Sequence, residues 1–221
     1  MKKYLVLLTV ICGASAAFAA DYNLVNDWVF DGPNNPNGAW GYGSMIQNTN
    51  GVFSPFAAAT IHDTTSSSAW DRWVVANTSD TCVVWDMPGG LWTFPANSVV
   101  LNAWNNYASV VHWAGDAGTY NLSAAFQTGG YATPTPTYPD TTVYVIKNDT
   151  TVLFQQEIFG FAGANMAQQI TMAPGDWLDF VVAGNPEARA SLDANLAAVP
   201  EPASLGLLAL GGLLFLFRRR R

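Results

Sequence analysis

The fold class this sequence predicts is all-β: an antiparallel, jelly-roll-like β-sandwich between an N-terminal signal helix and a C-terminal hydrophobic helix. Three observations carry the prediction. The 221 residues are 50% hydrophobic, 13% aromatic and only 11% charged, too apolar for disorder and enough to bury a sizeable core. Lys, Glu and Arg are scarce while Val, Thr, Phe, Tyr and Trp are plentiful, which tilts the backbone from helix toward strand. Short β-branched and aromatic runs recur between Gly, Pro, Asn and Asp, the spacing of strands joined by turns in a sandwich.

The first element is a leader. Lys2 and Lys3 precede the apolar run 4–11, and small residues close the segment through Ala17, Phe18 and Ala19. This is the tripartite form of a secretory signal, with Ala17 and Ala19 as the small positions before the cut, so residues 1–19 are expected to be removed during Sec-type export. The apolar run is too short to serve as a permanent anchor. Cys12 follows Ile11, where a lipid attachment signal needs a small residue, so no lipidation is expected. With the leader gone, Cys82 has no internal partner and reads as a small buried apolar residue.

Residues 20–198 read as one domain. A short strand is expected over 27–30, followed by a turn-forming cluster over 31–38. The segment 38–43, Gly-Ala-Trp-Gly-Tyr-Gly, reads as a flexible aromatic loop that exposes Trp40 and Tyr42. Strands follow over 70–76, 81–85 and 98–101. Residues 109–113 and 119–126 flank a Gly-Asp turn and carry a hairpin signature. Residues 142–146 and 151–154 form a second hairpin around 147–150, with 154–158 as a candidate continuation. The strand–turn–strand pattern repeats across 168–172, 173–176 and 177–182, and 191–197 supplies a final strand. Trp113 and Trp177 lie beside regular strand patterns and are expected to be buried.

Charge excludes one class of partner. Between residues 20 and 199 only Arg72, Lys147 and Arg189 oppose every acid in the chain except Glu201, so a phosphate backbone would be repelled and no nucleic acid is expected. The catalytic palette is thin, because His62 and His112 are the only histidines. His62 and Asp63 with Ser66, Ser67 and Ser68 mimic a triad only in composition, without a nucleophile-elbow pattern. His112, in an apolar strand, reads as a hydrogen-bonded sheet residue. Glu157, Asp176, Asp179 and Glu187 could supply a glycosidase pair, yet no spacing singles two of them out. Asp31, Asn34, Asn35 and Asn37 offer oxygens to calcium, but Pro33 breaks the EF-hand pattern. No catalytic residue, metal or cofactor is therefore assigned. Nine tryptophans raise a sugar-binding reading, for which Trp40 and Tyr42 are the candidates.

The last element is the tail, 199–221. Val199, Pro200, Glu201 and Pro202 form a proline-bounded strip that stays extended and accessible. Residues 203–217 then lack any charged side chain, and 205–217 any polar one, so a helix there would be apolar on every side and belong in lipid. At about 1.5 Å per residue it would cover roughly 22 Å against a hydrocarbon core of roughly 30 Å, spanning only with thinning or snorkelling. Arg218, Arg219, Arg220 and Arg221 favour the cytoplasmic side, which leaves the domain outside. Pro200, Glu201 and Pro202, the short apolar helix and the terminal arginines resemble the PEP-CTERM sorting signal. That resemblance implies that an exosortase, a membrane-embedded transpeptidase, recognises Pro200, Glu201 and Pro202 and removes the tail on the way to the cell surface or extracellular matrix.

A second resemblance concerns the domain. His112 and Trp113, then Gly118, Thr119 and Tyr120, the 143–154 segment, and Ala173, Pro174, Gly175 and Asp176 with Asp179 and Phe180 resemble jelly rolls of the carbohydrate-binding-module type. The expectation is a non-enzymatic exported protein, held briefly in the cytoplasmic membrane by its tail, whose sandwich binds or structures extracellular polysaccharide. A dedicated carbohydrate-binding module is the alternative, and a secreted hydrolase the second alternative.

Overall fold

The computed structural model describes residues 19–28, 36, 38–46, 53–55, 60–63, 70–74, 83–87, 94–95, 98–104, 106–129, 141–184 and 187–200, with 60–63, 70–74, 83–87 and 187 described by backbone alone. The signal and tail helices, the triad serines, Cys82 and the Asp31 loop lie outside the described residues. Among the described residues no helix is long and apolar enough to cross a membrane.

The described residues form fourteen strands: β1 Tyr22–Asn23, β2 Trp40–Ile46, β3 Ser54–Pro55, β4 Thr60–Asp63, β5 Trp70–Val74, β6 Val83–Met87, β7 Ser98–Trp104, β8 Tyr107–Trp113, β9 Gly118–Thr128, β10 Thr141–Lys147, β11 Thr151–Ile158, β12 Gly163–Met172, β13 Leu178–Ala183 and β14 Glu187–Ala198. Every pairing is antiparallel. One layer runs β11-β10-β13-β8-β2-β3, and the other runs β4-β5-β6-β7-β14-β9-β12 with β1 beside the end of β14. The layers meet in the ladder at one corner, the single pair Trp104 and Tyr107 between β7 and β8.

Alternation explains the layers. Along β9 the even positions Tyr120, Leu122, Ala124, Phe126 and Thr128 are buried, while Asn121, Ser123 and Ala125 are exposed. β14 adds a parallel row of buried residues from the same layer, facing rows come from β8, β10 and β13, and together they form one core with Val111, Trp113, Val143, Val145, Phe180, Leu192 and Leu196. A smaller apolar cluster lies on the outer side of the first layer, where Met45, Ala108, Val110 and Val181 pack with Phe53, Tyr144 and Ile146.

Two hairpin expectations are corrected. β8 pairs with β2 and β13 while β9 pairs with β12 and β14, so the Gly-Asp connection between them is an arch from one layer to the other. The connection from β12 to β13 is a second arch. A short link brings strand ends together, but with layers about 10 Å apart it can cross the core as easily as turn within a sheet. From β7 onward β10 and β11 are, among the described residues, the one hairpin within a layer, which is the jelly-roll pattern. There Asn148 and Asp149 both take positive φ, 53° and 57°, as a type I′ turn requires, and Thr150 N donates to Lys147 O at 3.3 Å.

Candidate functional site

Trp40 and Tyr42 are not exposed loop rings. Each is 1% exposed, on the inner side of β2 within the core. Trp40 Nε1 donates to Asp27 Oδ2 at 3.0 Å, and its ring tilts against Phe180. The correction has a simple cause: Trp-Gly-Tyr-Gly alternates with period two, so both rings point inward and both glycines point outward. Glycine here marks close approach of another group, not a loop. That group is Phe53: a Cβ at Gly43 would fall on the Phe53 ring and the Ser54 carbonyl oxygen.

Phe53 also stacks on His112, ring centroids 4.4 Å apart and 11° from parallel. His112 Nδ1 lies 2.7 Å from Asp179 Oδ1 on the neighbouring strand, with which it is in register. Asp179 is fully buried, and its Oδ2 has no hydrogen-bond partner among the described residues. Burial is the largest influence and pushes the Asp179 carboxyl above the usual carboxylate range, against the opposing pull of His112. The orientation of His112 by a buried carboxylate is what a general base needs. Among the described residues, however, no hydroxyl or thiol is bonded to it, and no group of three metal-ligating side chains forms. The bond fixes the ring of His112 over a buried titratable group.

The end of the first layer is locked beside it. Asn148 Nδ2 donates to Asp176 Oδ1 at 2.7 Å, Trp177 N donates to Asn148 Oδ1 at 2.9 Å, and Lys147 Nζ sits 2.7 Å from Asp176 Oδ2. Lys147, the Ala173 amide and Asn148 hold the Asp176 carboxyl down at about 2. Trp177, expected to be buried, is half-buried, whereas Trp113 is in the core as expected. The carboxylates weighed as a glycosidase pair are dispersed: Asp176 is bound to Lys147, Asp179 lies under His112, Glu157 is exposed on β11 and Glu187 opens β14.

The second notable locus is the base of the tail. Strand β14 runs to Ala198, and Val199 N still donates to Thr119 O at 2.8 Å, so sheet bonding reaches the residue before Pro200. Asp21 Oδ1 accepts from Ala198 N at 2.7 Å, and β1 sets Tyr22 opposite Leu196 and Asn23 opposite Asn195. Leu24 N donates to Ala194 O at 2.9 Å. Tyr22 packs edge-on to Trp113 and donates through its hydroxyl to Asp116 Oδ2 at 3.0 Å. Tyr120, buried beside it, donates to Asp116 O at 2.8 Å, and burial pushes its hydroxyl up to about 12. The segment following Ala19 and the segment entering Pro200 thus leave the sandwich side by side. Of the sorting residues, Pro200 is the last one described; Glu201, Pro202, the four arginines and Ala17 lie outside the described residues.

Residues 198–221 match the PEP-CTERM protein-sorting motif, and the tail is such a motif. No curated protein matches the chain. Among solved structures the chain is similar to the K1 cleaved adhesin domain of Lys-gingipain from Porphyromonas gingivalis, with 10% identity, 82% of this chain and 99% of that one covered, and a TM-score of 0.36. It is also similar to the family 11 carbohydrate-binding module of Clostridium thermocellum, with 10% identity, 85% and 100% covered, and a TM-score of 0.33. A third is the enzymatically active domain of tailspike protein 4 from bacteriophage CBA120, with 12% identity, 73% and 19% covered, and a TM-score of 0.32.

Proposed function

We propose that the chain is an exported surface or extracellular-matrix protein, released from its signal after Ala19 and sorted through residues 199–221 by an exosortase, with residues 20–198 as a non-catalytic sandwich. The observation that carries this reading is the sorting motif itself. In it Pro200, Glu201 and Pro202 are the recognition strip, residues 203–217 hold the chain in the cytoplasmic membrane, and Arg218, Arg219, Arg220 and Arg221 stop transfer on the cytoplasmic side. The base of the tail supports the same reading. Both membrane-directed segments leave the sandwich at one place, so the chain can be held at the bilayer by either without turning over.

Sandwich chemistry supports a structural role over turnover, because the described acids are engaged in turns, in the core or alone on strands. Polysaccharide remains the partner this reading assigns to the surface. It does not run through Trp40 and Tyr42: a Trp40→Ala change would report on folding, not on sugar stacking. The test is mass spectrometry of the C-terminus of the mature protein from host cells with and without their exosortase. Cells with the enzyme are expected to yield a chain lacking Arg221, and cells without it a chain that keeps it. An intact Arg221 in both overturns the sorting assignment.

A further inference from the structure

The second layer ends on β12, and among the described residues this strand is bonded on one side only, to β9. Its ladder with β9 runs from Gly163 to Met172 without a register shift, so the outer edge is regular over ten residues, about 33 Å of backbone that no second strand pairs among the described residues, with Lys147 Nζ bonded to the Thr171 carbonyl near its end at 2.7 Å. Natural edge strands are guarded by Lys, Pro, bulges or brevity. The sequence Gly-Ala-Asn-Met-Ala-Gln-Gln-Ile-Thr-Met has no charge and no proline.

Parity within the strand says what would fit there. Ala164, Met166, Ile170 and Met172 face the core and are buried, while Gln168, at the same parity in the middle, is exposed. A strand added to this edge must match inward positions to inward positions, or its apolar row turns to water. A second β12, antiparallel and centred on Gln168, does so. Ala164 then lies opposite Met172 and Met166 opposite Ile170, with Gln168 opposite itself on the twofold axis. On the outer side Asn165 meets Thr171 and Ala167 meets Gln169. Continued past the strand, the same register brings the ring of Phe161, 42% exposed, to the turn at Pro174 and Gly175 of the second copy. Charge points to the same edge: the chain carries a net −7, so copies repel over most faces, and β12 is a stretch where two strands meet without like charges.

We infer that β12 is a homodimer edge, joining two copies into one continuous sheet across a twofold axis at Gln168. The inference goes beyond the sorting assignment and holds whether or not the tail is processed. Its test is sedimentation velocity of the full-length chain in detergent micelles, for the unmodified chain, Gln168→Lys, Gln168→Glu and an equimolar mixture of the two variants. The unmodified chain is expected to be dimeric. Each variant, whose substituted residue is exposed in the monomer, is expected to keep its thermal midpoint yet associate at least about tenfold more weakly. The mixture is expected to recover the dimer, because Lys then faces Glu on the axis, a rescue that a loss of folding could not give. A monomeric unmodified chain, a dimer unchanged by Gln168→Lys, or a mixture that stays monomeric overturns the inference. Tail-driven association would give the second of these results.

Discussion

Asp179 places an ionisable group where water does not reach, bonded through Oδ1 to His112. Its folded-state pKa is raised, so its contribution to stability is greatest when protonated and declines as pH climbs from the unfolded value of about 4 through the folded one. Asp179→Asn, which mimics the protonated acid and keeps a bond to His112, is expected to hold or raise stability at pH 8 and to flatten the decline between pH 4 and pH 8. Asp179→Ala instead strands the imidazole and is expected to cost about 1–3 kcal/mol. Denaturant melts of both variants at pH 4 and pH 8 measure this, and a decline in Asp179→Asn equal to that of the unmodified chain contradicts it. Side-chain identity was only partly readable here. Trp113 could be assigned to the core from its strand, but Trp40 and Tyr42 could not, because glycines that serve Phe53 imitate a loop.

Strand β2 shows what those glycines do. At Gly43 an added Cβ would meet the Ser54 backbone, which pairs with Ser44, whereas at Gly41 the nearest atoms are 3.6 Å away. Gly43→Ala is therefore expected to displace β3 and Phe53 and cost about 1–3 kcal/mol, and Gly41→Ala to change stability by less than about 1 kcal/mol. Thermal unfolding compares the two, and equal losses would contradict the packing of Phe53. The hairpin of β10 and β11 was legible because Asn148 and Asp149 accept the positive φ of its turn. The arches after β8 and β12 were not, because their turn residues are compatible with either a hairpin or a crossing. What separates the cases is the partner strand, which is more than sixty residues away for β8 and β13.

At the scale of the molecule, the fold is closed by its two ends. Strand β14 bonds β7 and β9 and receives β1, so the final strand completes the second layer. The core takes Leu192, Ala194 and Leu196 from it and no described residue beyond Ala198. A chain ended after Val199 is expected to keep its thermal midpoint within about 3 °C, while one ended after Asp193 is expected to lose cooperative unfolding. Tryptophan fluorescence during heating distinguishes them, and a large loss in the longer form would mean that the tail contributes to the fold. The same arrangement sets the stand-off of the sorting strip: only Val199 separates Pro200 from the last strand, so the sandwich lies close against whatever reads the motif.

By itself the sequence determined the class of the fold and the address of the protein. Both are local in physical origin: strands follow from β-branched alternation, and the tail is a contiguous proline strip, apolar run and arginine block. Tertiary structure alone decided which rings are buried, which short links cross the core and, among the described residues, which strand ends the second layer. Those depend on contacts between residues far apart in the chain, such as Gly41 with His112, Asp21 with Ala198 and Gly163 with Gln127, which no local pattern encodes.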